Sequence, residues 1–177
     1  MKIQLIDLKQ RYQEEKKELI DCFKKVVKNG SLVLTDEVQK FENNICKYIG
    51  AKYCLGLNSG TDALMMGLWA LGVKKGDEVI TSPVSFIASA GAIYHLGAKP
   101  VFVDVSDDLN INPELIEKAI TKKTKAIMPV HWSGKICQMD KIIKISKKYK
   151  LPIIEDSAQG MGSYYNNIHA GNFGDVA

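Results

Sequence analysis

The chain has 177 residues, of which 46% are hydrophobic and 25% are charged, and its formal net charge is +4. This length allows one domain with a buried core, and the composition is ordinary for a soluble globular protein. No apolar run approaches the roughly 20 residues of a membrane-spanning helix, and no DNA- or RNA-binding motif accompanies the lysines, so we expect neither a membrane nor a nucleic acid as a partner.

The cysteines give information about metal binding and cellular location. Cys22, Cys46, Cys54 and Cys137 are scattered and form no CxxC pair, and the chain has only three histidines. A structural zinc site, or any other metal site, is therefore not expected. Residues 1–4 lack the apolar stretch of a signal peptide, and scattered cysteines without a signal peptide favour a reducing, cytoplasmic location.

Two amphipathic helices are predicted at the start of the chain. Apolar residues recur at helical spacing over residues 13–29 and again over residues 36–48, and Asn29-Gly30 is a typical helix end. We expect residues 1–50 to form an N-terminal helical arm.

From residue 51 onward, short apolar strands alternate with helices. The predicted strands are residues 53–57, 78–81, 101–104, 126–130 and 152–155, and the predicted helices are residues 61–71, 85–96, 112–120 and 140–149. Gly72 and Gly97 follow two of these helices, as is usual for the residue after a helix end. The alternation predicts an α/β domain over residues 51–177, with a mostly parallel sheet flanked by helices.

A turn between the first predicted strand and its helix has the features of an anion site. Unpaired backbone N–H groups at a helix N-terminus attract negative charge. Gly60 allows a ligand to approach the main chain, and Ser59 and Thr61 add hydroxyl donors. We interpret this turn as a phosphate-binding site, although an ordinary helix cap has the same residue types.

The segment 153–159 carries the most informative signal, because an apolar strand runs directly into the acidic pair Glu155-Asp156. Ligands of α/β sheets lie at the carboxyl ends of the strands. A carboxylate there suits a pyridinium nitrogen: it keeps the ring protonated, so that the ring draws electrons from a substrate carbanion. We assign this role to Asp156, with a helix cap or a structural acid as the alternative, and we give Glu155 no catalytic role.

Three other side chains follow predicted strand ends. Phe86 is placed to stack on a planar cofactor, or else it packs in the core. Gln159 is placed to hydrogen-bond a ring hydroxyl, or it is a surface amide. His131 lines a substrate site, or it is a buried structural histidine. A phosphate turn, an aromatic ring and a carboxylate at one sheet edge together indicate pyridoxal phosphate (PLP).

Other nucleotide-binding and hydrolytic motifs are missing. Gly160-Met161-Gly162 lacks the third glycine of a dinucleotide fingerprint, and no lysine follows the Gly60 turn as a P-loop requires. Neither HExxH nor GxSxG occurs.

Several blocks of the sequence resemble the DegT/StrS family of PLP-dependent nucleotide-sugar aminotransferases. They follow the family order and cover nearly the whole chain. The blocks are Leu57–Leu64, Gly76–Thr81, Gly97–Val105, Thr124–Ile127 with Pro129-Val130-His131, Ile154–Gln159, and Gly171–Val176.

The resemblance implies the large domain of fold type I and transamination of a nucleotide-linked keto-sugar. Glutamate is the implied amino donor, the pathway is polysaccharide or glycoconjugate synthesis, and the protein is implied to be a homodimer with active sites at the subunit interface. By analogy, the residues that bind the cofactor are Ser59, Gly60, Thr61, Phe86, Asp156 and Gln159.

The resemblance also implies that the Schiff-base lysine and a small C-terminal domain lie beyond Ala177. We therefore expect this chain to be the N-terminal part of an enzyme, truncated before the C-terminal domain and inactive by itself. Two alternatives stay open: a PLP-dependent sugar dehydratase of the same family, and a non-catalytic PLP-binding or regulatory protein. A generic Rossmann-like nucleotide binder is the fallback.

Overall fold

The structure is a computed structural model that describes residues 6–30 and 33–177. Residues 1–4, which we interpreted as lacking a signal peptide, lie outside the described residues. The chain forms two compact units, Met1–Phe41 and Glu42–Ala177.

The first unit is helical. Helix α1 spans Leu8–Lys28, and the carboxylate of Asp7 caps it by accepting the backbone N–H of Gln10 at 2.9 Å. Helix α2 spans Asp36–Ile49 and continues into the second unit. Both predicted helices are confirmed. Helix α1 begins before residue 13 because its first turns are stabilised by polar pairs four residues apart, which apolar periodicity does not detect.

The second unit contains a parallel sheet of three strands. They are β1 (Glu78–Thr81), β2 (Lys99–Phe102) and β3 (Thr124–Met128), in the order β2-β1-β3, and β1 pairs in parallel with both neighbours. The three predicted strands are confirmed, although β2 and β3 lie two residues earlier in the chain than the apolar pattern indicated.

The predicted strand at residues 152–155 continues this sheet only as isolated contacts. The bridges are all parallel, and they join Ile127 with Ile153, Val130 with Asp156, and Ile154 with Val176. Pro152 opens the segment and has no N–H to donate to a ladder. The segment that leads to Asp156 is therefore joined to its neighbours on both sides by isolated bridges rather than by continuous ladders.

Residues 53–57 do not form the strand that we predicted. Tyr53 and Leu55 are 79% and 74% exposed, and no described residue forms a ladder with this segment. The backbone N–H of Gly56 instead donates to a carboxylate oxygen of Glu42 at 2.7 Å. An apolar, β-branched or aromatic pattern describes a strand only where another strand is available to pair with it.

Four more helices flank the sheet, and each was predicted. They are α3 (Gly60–Ala70), α4 (Ile87–His95), α5 (Pro113–Ala119) and α6 (Met139–Tyr149). Gly72 and Gly97 follow α3 and α4 with φ of +79° and +71°, a conformation that glycine adopts without strain. Within the described ranges, no helix combines the length and apolar character required to cross a membrane.

A short hairpin near the end of the chain was not predicted. Strands β4 (Tyr164–Tyr165) and β5 (Ile168–His169) pair in an antiparallel manner. The two residues between them, Asn166 and Asn167, have φ of +50° and +63°. Two consecutive residues with positive φ are characteristic of a type I′ turn, and asparagine is among the residues that favour it.

The core consists of two apolar clusters, one on each face of the sheet. Side chains alternate between the faces along each strand. Val79 belongs to the cluster formed with α3 and α4, whereas the next residue, Ile80, belongs to the cluster formed with α5 and α6. Full burial of each such side chain contributes about 1.5–3 kcal/mol.

Candidate functional site

The alternation of side chains places the two acidic residues of the 153–156 segment on opposite faces of the sheet. Ile154 belongs to the α3/α4 cluster and Ile153 to the α5/α6 cluster. With a period of two, Asp156 follows Ile154 toward α3 and α4, and Glu155 follows Ile153 toward α5 and α6. The two carboxylates therefore have different surroundings although they are neighbours in sequence.

Asp156 is buried, with 7% of its surface exposed. Its Oδ2 accepts a hydrogen bond from the hydroxyl of Ser89 on α4 at 2.6 Å, and its Oδ1 accepts the backbone N–H of Ala158 at 3.3 Å. Among the ion pairs of the described residues, none includes Asp156. A buried carboxylate without a cationic partner is unfavourable, so this site is suited to a ligand that brings a positively charged N–H group.

Phe86 occupies the N-cap position of α4 and is 69% exposed. It makes no side-chain capping hydrogen bond, and a residue without a capping oxygen there costs about 1 kcal/mol relative to serine or aspartate. The helix therefore begins with an exposed aromatic ring at some cost in stability. The following turn of the same helix carries Ser89, which contacts Asp156.

The start of α3 combines an ordinary cap with open space. The Ser59 hydroxyl accepts the backbone N–H of Asp62 at 3.1 Å and donates to the Asp62 carboxylate at 2.9 Å. A Cβ atom added at Gly60 would meet nothing within 4 Å. The N–H groups of Gly60 and Thr61 belong to the first turn, which has no intrahelical acceptors, so an anion has access to them.

Helix α3 lies directly against the segment that carries Asp156. A Cβ atom at Gly67 would lie 2.7 Å from Cδ1 of Ile154, closer than any side chain allows. Helices α3 and α4 also pack against each other. The structure thus brings both helices to the sheet face of Asp156, while no hydrogen bond between Asp156 and residues 59–61 occurs among the described residues.

Gln159 is exposed and held by one hydrogen bond. Its Oε1 accepts the backbone N–H of Ser133 at 2.6 Å. The carbonyl end of the amide is therefore occupied, and the NH₂ end is the part that can donate to a ligand.

His131 is wholly buried, and both of its ring nitrogens are used. Nε2 lies 2.8 Å from Oε2 of Glu155, and Nδ1 accepts the backbone N–H of Cys137 at 3.4 Å. Because Nδ1 is an acceptor, we assign the hydrogen to Nε2, which donates to Glu155. The imidazole has no surface to offer a substrate, and its arrangement is that of a structural histidine.

Glu155 is also wholly buried, and it accepts three backbone hydrogen bonds besides that of His131. The donors are Gly171 at 2.9 Å, Phe173 at 2.7 Å and Gly174 at 2.6 Å. Burial raises the pKa of Glu155, but the hydrogen bonds from His131 and from the glycine N–H groups outweigh this effect and bring the pKa below its usual value.

Sequence reasoning missed three groups near the site. The Ser85/Ser89 spacing of four residues after a strand end was the available signal for the contact with Asp156. The hydrogen bonds of Glu155 had no signal, because their donors are main-chain groups of a distant loop. Ser157, next to Asp156, has a buried Oγ without a hydrogen-bond partner among the described residues.

Comparison with known proteins places this geometry in context. The model of the DegT/DnrJ/EryC1/StrS aminotransferase family matches residues 13–177. A pleiotropic regulatory protein of Geobacillus stearothermophilus is 42% identical over 178 residues, covering 100% of this chain and 48% of the relative. The UDP-2-acetamido-2-deoxy-3-oxo-D-glucuronate aminotransferase of Pseudomonas aeruginosa is 41% identical, covering 99% of this chain and 49% of the relative. The chain thus spans about half the length of these relatives.

Solved structures show the same fold. DesV of S. venezuelae superposes with a TM-score of 0.92 at 36% identity, covering 96% of this chain and 46% of DesV. NtdA from Bacillus subtilis, with the cofactor pyridoxamine phosphate (PMP) bound, has a TM-score of 0.85 at 37% identity, covering 89% of this chain and 37% of NtdA. The fold is that of the large domain of PLP-dependent aminotransferases, and pyridoxal phosphate is the indicated cofactor.

Proposed function

Because the chain belongs to the DegT/DnrJ/EryC1/StrS aminotransferase family, we propose that it contributes the cofactor-binding half of an enzyme that transaminates a nucleotide-linked keto-sugar. Glutamate is the proposed amino donor. The proposed product enters polysaccharide or glycoconjugate synthesis, and the proposed location is the cytoplasm. The 3-oxo sugar nucleotide in the name of the Pseudomonas aeruginosa relative supports this substrate class.

The buried carboxylate of Asp156 is the observation that carries the proposal. It lies at a strand end, 7% exposed, and has no cationic partner among the described side chains. Bound pyridoxal phosphate supplies a carbonyl group that carries the amino group and a ring that accepts electrons. Asp156 holds the proton at the ring nitrogen, which maintains the positive charge that makes the ring an electron acceptor.

The other proposed residues bind and orient the cofactor. The N–H groups of Gly60 and Thr61 at the start of α3 hold the phosphate. The Ser59 hydroxyl donates to the phosphate after turning away from the Asp62 carboxylate, to which it donates in the structure. The exposed ring of Phe86 stacks on the pyridine ring. The NH₂ group of Gln159, whose Oε1 is already fixed by Ser133, donates to the ring hydroxyl.

Binding of pyridoxamine phosphate (PMP) to the purified chain tests this assignment, because PMP needs no lysine to bind. Asp156→Asn removes the negative charge and should weaken PMP binding at least tenfold by isothermal titration calorimetry, since a charge-assisted hydrogen bond contributes about 1.5–3 kcal/mol. Asp107→Asn, at an exposed aspartate, is the matched control and should bind PMP like the wild type. Equal affinity of the Asp156→Asn variant and the wild type for PMP would contradict the proposal.

We expect the 177-residue chain to bind the cofactor without sustained turnover by itself, because it spans about half the length of its relatives. Release of 2-oxoglutarate from glutamate, in the presence of PLP and a keto-sugar nucleotide, measures this. Continuous release at rates typical of enzymes, about 1 per second or more, would show that the chain is catalytically sufficient.

A regulatory role is the second candidate, and the name of the Geobacillus stearothermophilus relative supports it. A cofactor-binding regulator would bind PLP, yet the visible absorption of the bound PLP would not change when glutamate is added, even in a longer protein that contains this chain. A glutamate-dependent loss of that absorption would favour the aminotransferase.

A further inference from the structure

A chain of three side chains leads from the turn before α4 to Asp156. The hydroxyl oxygens of Ser85 and Ser89 are 2.5 Å apart, and the Ser89 hydroxyl lies 2.6 Å from Oδ2 of Asp156. Ser89 is 1% exposed. A buried serine hydroxyl needs a partner, and here it has two.

The direction of these hydrogen bonds follows from the number of hydrogens. A serine hydroxyl has a single hydrogen to donate. Asp156 accepts from Ser89, so Ser89 has no hydrogen left for Ser85. Ser85 must then donate to Ser89, and both bonds point toward the carboxylate. Hydrogen bonds aligned in this way polarise and strengthen one another.

The chain of hydrogen bonds from Ser85 through Ser89 to Asp156, called the serine relay below, restrains the orientation of the Asp156 carboxylate. Oδ2 is fixed by Ser89, and Oδ1 accepts the backbone N–H of Ala158. With one hydrogen bond on each oxygen, rotation about the side-chain torsions of Asp156 breaks at least one of them. Each carboxylate oxygen retains a further lone pair for another donor.

We propose that Ser89, itself held by Ser85, is a positioning residue that keeps the Asp156 carboxylate in the orientation in which it binds the cofactor ring nitrogen. This inference rests on the proposed function. Neither serine touches the cofactor; both act through Asp156.

The serine relay begins at the same turn as the proposed stacking residue. Ser85 is the residue immediately before Phe86, the exposed N-cap of α4. The turn that supplies the proposed stacking ring is therefore the turn that orients the proposed ring-nitrogen partner. A shift at the start of α4 would move both groups together.

PMP labelled with ¹⁵N at the ring nitrogen tests the inference by NMR and by calorimetric titration. Ser89→Ala should weaken PMP binding roughly three- to tenfold, because the free carboxylate must then be ordered on binding. It should also lower the pH at which the bound ring nitrogen loses its proton, because a misoriented carboxylate stabilises the N–H group less. A merely structural serine would not change that pH.

Ser85→Ala provides a second, half-buried variant for the case in which Ser89→Ala does not fold. It should shift both readouts in the same direction by a smaller amount. The double variant should equal Ser89→Ala alone, since Ser85 acts only through Ser89. Ser146→Ala on α6 is the control. The Ser146 hydroxyl donates to the Leu151 carbonyl at 2.6 Å, and loss of this hydroxyl should leave PMP binding unchanged.

The outcomes separate the two proposals. If Asp156→Asn changes PMP affinity and ring-nitrogen protonation while Ser89→Ala and Ser85→Ala change neither, the positioning role is overturned and the proposed function stands. If Asp156→Asn also behaves like the wild type, or the wild type does not bind PMP, the proposed function fails and the inference fails with it.

Discussion

Glu155 forms four hydrogen bonds within the protein, although it is adjacent to a residue that we assign to cofactor binding. His131 and three backbone N–H groups of residues 171–174 donate to its carboxylate. Both Glu155 and His131 are 0% exposed. Each carboxylate oxygen accepts two of these hydrogen bonds, so loss of the charge turns one oxygen into a group that faces two donors.

Replacement of this carboxylate should therefore be costly. The amide of Glu155→Gln has one acceptor oxygen and an NH₂ group that faces donors, so we expect a loss of about 3 kcal/mol in the free energy of unfolding. Urea denaturation followed by circular dichroism measures the change. Glu114→Gln, at a 74% exposed carboxylate paired with Lys141, is the matched control and should cost less than about 0.5 kcal/mol. Similar losses in both variants would contradict this account of Glu155.

The same carboxylate should make stability depend on pH in acid. Burial raises the pKa of Glu155, but hydrogen bonds from His131 and the loop glycines bring it below its usual value of 4.5. The contribution of Glu155 is therefore complete above pH 4.5 and is lost as the pH falls through the lower pKa of the folded state. Urea denaturation at a series of pH values from 7 to 3 should show a fall in stability below pH 4.5 that is smaller in Glu155→Gln. Parallel curves for the two proteins would show that another group is responsible.

Two glycines inside the neighbouring helices α3 and α4 allow a test of how closely α3 packs on the sheet. Gly67 of α3 faces Ile154, and a Cβ atom there would lie 2.7 Å from Cδ1 of Ile154 and 3.1 Å from Cγ1 of Val176. Gly91 of α4 has nothing within 4 Å of the same position. Alanine is preferred over glycine in a helix by about 1 kcal/mol, so only the contacts distinguish the two sites.

We therefore expect Gly91→Ala to stabilise the protein by up to about 1 kcal/mol. Gly67→Ala should destabilise it, because overpacking typically costs about 1–3 kcal/mol and exceeds the helical gain. Thermal and urea unfolding of both variants measure the difference. If Gly67→Ala were as stabilising as Gly91→Ala, α3 would not lie as close to the Ile154 side chain as the structure indicates.

The elements that the sequence predicted are those whose signal is local. Apolar periodicity, caps and glycine stops located the six α-helices of the described residues, and short apolar runs located β1, β2 and β3, whereas the 3-10 helix Trp132–Gly134 was not predicted. The prediction of a strand over residues 53–57 was wrong because strand formation depends on a pairing partner, which the segment itself does not encode. The β4/β5 hairpin was missed because its Asn166-Asn167 signal is only two residues long.

In the candidate site, too, the sequence predicted the local features and missed the contacts between distant residues. A carboxylate at a strand end was visible in the sequence, because the apolar run before Asp156 defines that position. The surroundings of Asp156 and Glu155 were not visible: they depend on which face of the sheet each residue occupies and on donors 16 to 67 residues away. The role of His131 was left open in the sequence for the same reason, since its partner Glu155 lies 24 residues away in the chain.

The outer surfaces of α3 and α4 carry large apolar side chains. Trp69 is 64% exposed, and Ile87 and Tyr94 are each 75% exposed. Helices α3 and α4 pack against each other, so these side chains belong to one pair of helices. Exposed apolar groups on one pair of helices are typical of surfaces that bind another protein, so we propose this surface as the contact of the homodimer that the family resemblance implies.

We expect the purified chain to associate with itself in a concentration-dependent manner. Trp69→Glu together with Tyr94→Glu should weaken that association, because two buried charges oppose burial of the surface, and the substitutions should leave the stability of the monomer almost unchanged at such exposed positions. Sedimentation velocity over a range of concentrations measures the association. Met161→Glu, at a 62% exposed side chain outside both helices, is the matched control. If the double variant sediments like this control, the outer surface of α3 and α4 is not the contact between subunits, and the exposed apolar side chains elsewhere in the chain become the candidates.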